Sequence, residues 1–438
     1  MRHTRMATPM ASLLASLLPL AALAAPLPRQ PEAADRDPAP DVLHVALRAA
    51  PTGDATFPYA YNNQRVGPTL RARVGDTLVA ELDNDLADPT TLHWHGVEVP
   101  HAMDGAGPGS PVAPGARFTY RFPLPHPGTF WYHPHFDTAR QVDGGLFGVF
   151  VVEDPAAPRA DDELVLVFDR PREGHQSPRT PGGHGVIHER WLINGEDTPL
   201  THTARGGSVV HVRLVNASSA GYLDLRWPGI RHIAGDQGWL PAARTPDRLL
   251  LGPGDRAEVE WLIGAEGFDV MAHPYSLNGG ATHGDATSLL RVDVTDPAPA
   301  PAPLPWPFTG AEVPPDPPYT DITYVLTGSD RTGVWHINGE RFPDVTVEQV
   351  ARGSRPVIEV RNLSPTHHPF HIHGNRFDVL SLDGAPPPHA MLEDTIDVPI
   401  HGRLRLRLRA DNPGMWMTHC HILPHAEEGM MTMLHVEP

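Results

Sequence analysis

The chain has 438 residues, of which 51 are proline and 40 are glycine, and its formal net charge is −18. Such an acidic balance disfavours nucleic-acid binding and favours a soluble protein, and so much proline and glycine is typical of short strands joined by turns. A single cysteine excludes an internal disulfide.

The first 25 residues have the pattern of a secretory leader. A basic start is followed by an apolar run over residues 11–25, which ends in small residues and contains Pro19. Because the run is short for a membrane span, we predict a cleaved signal peptide over residues 1–25. Export by the general secretory route to the periplasm or the medium follows, with no stable membrane insertion.

One pattern of turn, glycine and alternating strand occurs three times along the chain. The copies lie at residues 62–84, 191–216 and 335–362. Roughly 400 residues after the leader also correspond to about three domains. Repetition of this kind indicates one β unit used three times, and short strands between turns indicate Greek-key sandwiches. We therefore predict an all-β fold of three Greek-key β-sandwich domains.

Domain boundaries are expected where acids and prolines cluster, near residues 154–161 and 296–318. The predicted domains cover residues 26–155, 156–296 and 319–438, with a linker over residues 297–318. Rich in proline and alanine, the linker is predicted to be a stiff, extended spacer, and disorder is the alternative.

Two histidine pairs lie in the first domain, His93-Trp94-His95 and His133-Pro134-His135. The second domain has no such pair and no cysteine, so we predict that it acts as a spacer between the outer domains. The histidines that it contains include His184, His188, His202, His211, His232, His273 and His283.

Two further pairs lie in the third domain. One is in His368-Pro369-Phe370-His371-Ile372-His373, and the other is in His419-Cys420-His421, which is followed by His425 and Met430. The 27 histidines of the chain would form roughly two such pairs by chance, and four are present.

The spacing of these residues separates them into two groups. Successive side chains of a strand point to opposite faces, so residues two apart share a face and adjacent residues do not. His419 and His421 therefore face one way and Cys420 the other. In the preceding string, the last two histidines face away from the first. We predict two metal centres, back to back across the same strands.

One predicted centre has the ligand set of a blue-copper electron-transfer site. A soft thiolate, two imidazoles and a weak thioether suit copper in such sites. These ligands are His368, Cys420, His425 and Met430. The other centre gathers the histidine pairs, His93, His95, His133, His135, His371, His373, His419 and His421.

Together these strings resemble the copper-ligand motifs of the multicopper oxidase family, and every motif of its laccase-like members is matched. The resemblance extends over most of the chain after the leader. It implies three cupredoxin-like domains and four copper ions, one of type 1, one of type 2 and two of type 3. Since only the outer domains supply ligands, the trinuclear cluster is expected at their interface.

The resemblance also implies a ligand for each copper. His368, Cys420, His425 and Met430 would bind the type 1 ion, and His93 and His371 the type 2 ion. The type 3 pair would be bound by His95, His133, His135, His373, His419 and His421. A donor would give up one electron at a time near His368 or His425, and Cys420 would connect that site to the cluster, where O2 is reduced to water.

Reduction of O2 also needs protons, which an acid near the cluster must supply. Asp104 matches an acid that lies beside the cluster in relatives, although Asp104-Gly105 is also a strong turn dipeptide. Relatives commonly have a second acid directly after the last type 1 histidine. This chain has Ala426 there, and Glu427 is the candidate substitute.

The electron donor is the property that the sequence predicts least well. Relatives that oxidise Cu(I) have an acid and a methionine four and two residues before the first type 1 histidine, whereas this chain has Ser364 and Thr366. We therefore predict phenols or aromatic amines as donors, with Cu(I) or another metal ion as the alternative. A scaffold protein without enzymatic activity is disfavoured because no ligand is missing, and the oligomeric state is left open.

Overall fold

A computed structural model describes residues 24–438, apart from 108, 174–185, 188–189, 280–281, 283, 307 and 309–311. The predicted leader lies outside the described residues except for its last two. As predicted, strands dominate and helices are few and short. Among the described helices, none has the length and apolar character needed to cross a bilayer.

Strands follow one another along the chain, and the few helices lie between them. Strands β1 to β9 span Ala25–Pro26, Val42–Pro51, Tyr59–Tyr61, Gly67–Arg73, Thr77–Asn84, His93–His95, Arg117–Pro123, Gly128–His133 and Gly148–Glu153. Strands β10 to β23 span Asp162–Asp169, Arg172–Glu173, Val186–Ile187, Leu192–Ile193, Glu196–Asp197, Leu200–Arg205, Val209–Asn216, Leu223–Arg226, Arg231–Gly235, Gly238–Arg244, Leu249–Leu251, Arg256–Leu262, Phe268–His273 and Thr287–Thr295. Strands β24 to β34 span Ile322–Ser329, Val334–Ile337, Val347–Val350, Val357–Asn362, His368–Ile372, Arg376–Leu382, Leu392–Glu393, Thr395–Val398, Arg403–Arg409, Gly414–Cys420 and Met431–Val436. A 3-10 helix covers His101–Met103, and the α-helices are α1, Thr138–Asp143, and α2, Leu423–Glu427.

The large sheets come in three pairs along the chain. The first unit has the sheets β3-β2-β5-β7 and β4-β9-β8-β6, and the middle unit has β1-β15-β23-β22-β17-β20 and β14-β13-β10-β16-β21-β18-β19. The last unit has β25-β24-β27-β32-β29-β30 and β26-β34-β33-β28-β31. In each unit a strand pairs in parallel with one that is not its chain neighbour, β2 with β5, β10 with β16 and β24 with β27, as Greek-key connections require.

Each pair of sheets encloses its own apolar core. In β5 the side chains alternate between half-buried and buried, so that Leu78, Ala80 and Leu82 point inward while the intervening residues face solvent. One core lies between the sheets of the first unit, and corresponding cores fill the middle and last units. The fold is therefore all-β, built from β-sandwiches of the cupredoxin-like type.

Two asparagines mark each copy of the repeat. Asn62, Asn194 and Asn338 have positive φ angles of 54°, 55° and 55°, which asparagine tolerates better than most residues. Each side chain binds an earlier strand of its unit, β2, β10 or β24, since its Oδ1 accepts from the backbone N–H of Arg48, Val167 or Val325. The second asparagine, Asn84, Asn216 or Asn362, is fully buried at the end of β5, β16 or β27 and donates to loop carbonyls. The structure therefore repeats in three dimensions what the sequence repeats along the chain.

The segments between the units are packed against them. Ala298 lies against Gly206 of the middle unit, and Asp316 forms an ion pair with Arg405 of the last unit at 2.8 Å. At the start of the described chain, β1 pairs in parallel with β15 and so joins a sheet of the middle unit. The exact domain boundaries stay predictions.

Candidate metal centre

Four strand segments hold the histidine pairs close to one another. Strand β6 pairs with the end of β8, so that His93 lies opposite His133. In the last unit β28 pairs with β33, and His371 lies opposite His419. These segments form strands because apolar residues alternate with the histidines. The apolar residues, such as Trp94, are buried in the cores.

Three sets of histidines form where the first and last units meet. In each set the ligand atoms lie within 4.8 Å of one another. The sets are His93 with His95 and His371, His95 with His133 and His421, and His135 with His373 and His419. Every one of the eight paired histidines belongs to a set, and every set draws on both ends of the chain.

The nitrogens of these rings fit metal ions. His93 Nε2, His95 Nδ1, His133 Nε2 and His371 Nε2 are buried without a hydrogen-bond partner among the described residues. His373 Nε2 lies 2.9 Å from His419 Nε2. Burial lowers the pKa of His419 to about 3, and it also lowers the pKa of His373, so these rings are neutral. Neutral imidazoles whose lone pairs converge in a buried space are the donor set that a copper ion requires.

Carboxylates fix the orientation of these rings by binding the ring nitrogens on the side away from the candidate metal sites. Asp104 is buried and accepts hydrogen bonds from His93 Nδ1 at 3.1 Å and from His373 Nδ1 at 3.0 Å. Its backbone also ends the 3-10 helix, and Gly105 follows with φ +70°. Asp104 is therefore both a turn residue and a partner of two candidate ligands, one from each end of the chain.

A second carboxylate holds two further rings. Asp394 Oδ1 lies 3.0 Å from His95 Nε2, and its backbone carbonyl accepts from His371 Nδ1 at 2.9 Å. The Thr395 hydroxyl contacts the same two rings at 2.9 and 3.0 Å. Such partners set the tautomer of a ligand histidine and raise its basicity.

Cys420 lies in a separate set. His368 Nδ1 is 3.3 Å from Cys420 Sγ, His425 Nδ1 is 3.9 Å from it, and the two ring nitrogens are 3.4 Å apart. All three side chains are buried. Met430 packs in the same core and is joined to Cys420 through the backbone, since Cys420 N–H donates to Met430 O at 3.2 Å. The sulfur ligand and its two chain neighbours therefore belong to different sets, as the alternation of strand residues predicts.

Burial raises the pKa of the Cys420 thiol. A cation beside the sulfur would reverse this preference, because a coordinating thiol is deprotonated. The Ile422 N–H already points at Sγ, at 3.3 Å, and would stabilise the thiolate. The set thus fits a soft metal ion.

The two histidines of the Cys420 set differ in their access to solvent. His368 is fully buried, and its Nε2 lies 2.7 Å from the hydroxyl of Ser364, which is itself buried. His425 is stacked on Trp335, with 3.9 Å between ring centroids, and its Nε2 lies 3.2 Å from Asp330. The Asp330 side chain is 68% exposed. Of the two edges that the sequence offers for electron entry, the His425 edge is therefore the one that reaches the surface.

The middle unit, which the sequence predicts to be a spacer, also contacts the candidate centre. The unit supplies no member of the metal-ligating sets in the described part of the chain, and His184, His188 and His283 lie outside that part. However, Gly254 lies so close to the ring of His421 that an added Cβ would be 3.0 Å from it. Gln237 donates to Asp394. The middle unit therefore packs directly against the candidate centre.

Arg256, from β21 of the middle unit, is fully buried and connects all three units. Its guanidinium donates to Thr129 O of the first unit, to Asp236 O of its own unit and to the Asp394 carboxylate of the last unit. Burial alone would raise the pKa of Asp394, but Arg256 lowers it well below the usual value. The aspartate behind His95 is therefore an anion.

Glu427 lies near the other end of the centre. It lines a cavity of about 480 Å³ together with His135 and His419. Its Oε1 accepts from Ala139 N–H at 2.8 Å, and burial raises its pKa to about 8. Ala426, which replaces the acid of relatives, packs among methionines instead. The position of Glu427 is thus compatible with the substitution that the sequence suggests.

Several residues of the site were not found by sequence reasoning. Asp330, Asp394, Arg256 and Asp236 occur in no spacing pattern with the histidines. The sequence contains a weak indication for Asp394 alone. An acid within the alternating segment 392–398 is expected to be buried, and a buried acid needs a partner.

The fold and the paired metal sets define a copper-dependent oxidoreductase of the cupredoxin type. Two multicopper oxidase family models match the chain, over residues 48–157 and 314–438. The multicopper oxidase MmcO of Mycobacterium tuberculosis is 31% identical over 85% of this chain and 82% of its own length. The chain belongs to the multicopper oxidase family.

Solved structures agree with this assignment. A multicopper oxidase from Campylobacter jejuni, described as a metallo-oxidase, superimposes with a TM-score of 0.80 at 25% identity, covering 95% of this chain and 96% of the other. A laccase-like enzyme from Ochrobactrum sp., with activity towards lignin model compounds and lignosulfonate, has the same TM-score at 25% identity and covers 94% and 100%. One of these two proteins is thus described as a metallo-oxidase and the other as laccase-like.

Proposed function

We propose that the protein couples one-electron oxidation of phenols or aromatic amines to the four-electron reduction of O2 to water. His368, Cys420, His425 and Met430 would hold the type 1 copper, and His93 and His371 the type 2 copper. The type 3 ions would be held by His95, His133 and His421 and by His135, His373 and His419. When bound, copper accepts single electrons from the donor and delivers them to O2.

The placement of Cys420 is the observation that carries this proposal. Its sulfur faces one set, and its neighbours His419 and His421 face two others. One peptide bond on each side of Cys420 therefore joins the set that has a surface edge to a set buried between the units. The chain itself provides a covalent route for electrons between a donor site and a site from which bulk water is excluded.

Asp330 and His425 support an organic donor. An exposed carboxylate beside the His425 edge can accept the proton that a phenol loses as its electron leaves. Ser364 and Thr366 are buried around His368, so neither lies open to a metal ion. The alternative donor, Cu(I) or another metal ion, is supported by the charge of Asp330.

We expect Asp330→Asn to lower kcat/KM for a phenol by roughly tenfold. This factor corresponds to the free energy of one hydrogen bond to a charged group. The protein should still be blue, because Asp330 is not one of the proposed ligands. Steady-state rates with a phenol and with its methyl ether would check this, since the ether has no proton to lose. An equal loss for both donors would contradict a role in accepting the proton.

Loading the purified protein with copper tests the proposal as a whole. We expect blue absorbance and O2 uptake, with faster turnover of a phenol or an aromatic amine than of Cu(I). A Cu(I) rate far above that of any organic donor would overturn the donor assignment, and a colourless protein without O2 uptake would overturn the function.

We propose that Asp104 and Glu427 transfer the protons that O2 reduction requires. The Asp104 carboxylate touches two candidate ligands, whereas Glu427 reaches the cavity beside His135 and His419. The Asp104 carboxylate is buried beside its two histidines, and Glu427, whose pKa burial raises to about 8, can hold a proton at its carboxyl oxygen beside the cavity.

Asp104→Asn should reduce turnover by about 10- to 100-fold, because an amide cannot accept from both His93 and His373. The reoxidation of the reduced enzyme by O2 should slow, while its reduction by the donor should not. Stopped-flow measurement of both half-reactions over a range of pH would check this. Unchanged turnover at every pH would remove Asp104 from the proton path.

We propose, from the predicted leader, that the protein is exported to the periplasm or the medium. O2 and a small donor are the proposed partners.

A further inference from the structure

A ladder of methionines lies on one face of the antiparallel strand pair β33 and β34. Its three rungs are pairs of directly opposite residues, Met415 with His435, Met417 with Met433, and His419 with Met431. Because alternate residues of a strand share a face, all six side chains point the same way. Successive rungs are about 7 Å apart, so the methionine ladder runs for about 14 Å and ends at His419, a candidate metal ligand.

The methionine ladder leads from a partly open end to a closed one. Both residues of the outer rung are half-buried, and those of the middle and inner rungs are buried. The methionines also pack against one another, in a cluster that includes Ala106 and Ala426. A continuous row of thioethers therefore extends from near the surface to the candidate centre.

Two cavities lie along this row. The outer cavity has a volume of about 830 Å³ and is lined by Met415 of the outer rung and Met433 of the middle rung. The inner cavity, of about 480 Å³, is lined by the other methionine of the middle rung and by both residues of the inner rung. Phe342 lines both cavities, so the two spaces meet at one side chain.

The two faces of this strand pair differ in composition. The opposite face has buried residues of the kind that ordinarily fills a core, such as Trp416, Leu434 and Val436. Four of the 11 methionines of the chain lie on the ladder face. Methionine is also an adaptable core filler, but filling alone does not explain why the methionines share one face and line both cavities.

Thioether sulfur is a soft ligand that favours Cu(I) over harder ions. It has no proton to lose, so an ion can pass from one sulfur to the next by ligand exchange alone. At the inner end, His419 Nε2 lies 2.9 Å from His373 Nε2 and 3.4 Å from His135 Nε2. These imidazoles can take over the ion as the last thioether is released.

We propose that the methionine ladder is the route by which Cu(I) reaches the histidine sets when the copper-free protein is loaded. Cu(I) binds first at Met415 and His435, passes to the thioethers of the middle rung and reaches His419 at the inner rung. Each step replaces one neutral ligand of Cu(I) by another, so no electron and no proton is transferred. This route adds to the proposed function, which requires copper in these sets whatever way the ions enter.

Silver tests the binding step, because Ag(I) is a soft ion with the charge of Cu(I) and is not oxidised by O2. The copper-loaded protein, isotopically labelled at the methionine methyl groups, would be titrated with silver nitrate and followed by NMR. We expect the signals of Met415 and Met433 to shift, while those of Met271 and Met391 stay in place. Unmoved signals of the methionine ladder at stoichiometric silver would overturn the proposal.

Loading kinetics test the route itself. The double variant Met417→Leu and Met433→Leu removes both thioethers of the middle rung with little change in volume. Uptake of Cu(I) by the histidine sets should slow by about tenfold, since the ion must cross the middle of the row without a soft ligand. Bound copper, measured after rapid gel filtration, would check this. Uptake of Cu(II), which depends less on soft ligands, should match wild type.

Cys420 provides an internal control. Its side chain lies on the other face of β33, so its set is not filled through the methionine ladder. After oxidation by air, the blue absorbance of the double variant should therefore appear at the wild-type rate while its total copper lags behind. An equal delay of the blue absorbance would indicate a general defect in folding or metal uptake, which would overturn the proposal.

Met391→Leu is the matched control variant. Met391 is half-buried in the same unit but packs in a different cluster, so this variant should take up Cu(I) at the wild-type rate. Equal Cu(I) uptake by wild type, control and double variant would overturn the route. Normal uptake with slower reoxidation by O2 would identify a passage for O2 and would overturn it too. If no protein retained copper in the histidine sets, the proposed function would fail, and the silver titration would still decide whether the methionines bind a soft ion.

Discussion

Replacing Cys420 with serine should abolish the blue absorbance of the copper-loaded protein and reduce turnover to background. The hydroxyl of serine is a hard donor and cannot replace the soft thiolate that a blue site requires. The three histidine sets contain no sulfur, so the copper-loaded variant should keep the copper bound by them. Visible absorbance, copper content and O2 uptake on the same sample would check the prediction.

Thr418→Ser is the control for this change. Thr418 is buried two residues before Cys420 on β33 and shares its face of the strand. A similar volume is lost from the same core without removing a proposed ligand, so the colour should remain. A Cys420→Ser protein as deeply coloured as wild type would refute the assignment of the sulfur.

Replacing Arg256 with methionine should destabilise the copper-free protein by about 3–5 kcal/mol. The change leaves Asp394 as a buried anion whose cation is gone, and it also removes the contacts that join the three units. Chemical denaturation followed by fluorescence would measure the shift in midpoint. Copper-loaded samples should also contain less copper, because Asp394 orients His95 and His371.

Arg355→Met is the comparison for this effect. Arg355 forms an ion pair with Asp411 at 2.9 Å, and the side chains are 43% and 39% exposed. An exposed pair of this kind contributes at most about 1 kcal/mol. Equal destabilisation by the two substitutions would mean that the burial of Arg256 has no special energetic role.

The candidate ligands could be predicted from sequence because strand geometry is local. Once Cys420 and its neighbours are placed on a strand, the backbone alone decides which side chains share a face. The repeat was visible for a similar reason, since asparagines such as Asn194 and Asn338 adopt positive φ angles that few other residues tolerate.

The surroundings of the ligands could not be predicted in the same way. Arg256 and Asp394 are 138 residues apart and meet only because two separate sandwiches dock. The residue pattern of a strand does not predict which face of a neighbouring unit that strand will contact. Asp330 was missed because it follows β24 in an exposed turn, where an acid is ordinary and its contact with His425 depends on the fold of α2.

Every histidine set takes members from both ends of the chain, and this has a thermodynamic consequence. A cation that binds only the assembled arrangement holds the outer units together, so occupancy and association are linked and each favours the other. By reciprocity, a substitution on any docking face, however distant from the imidazoles, should appear as weaker affinity for the ion. Chelator competition would therefore report on the cohesion of the whole molecule.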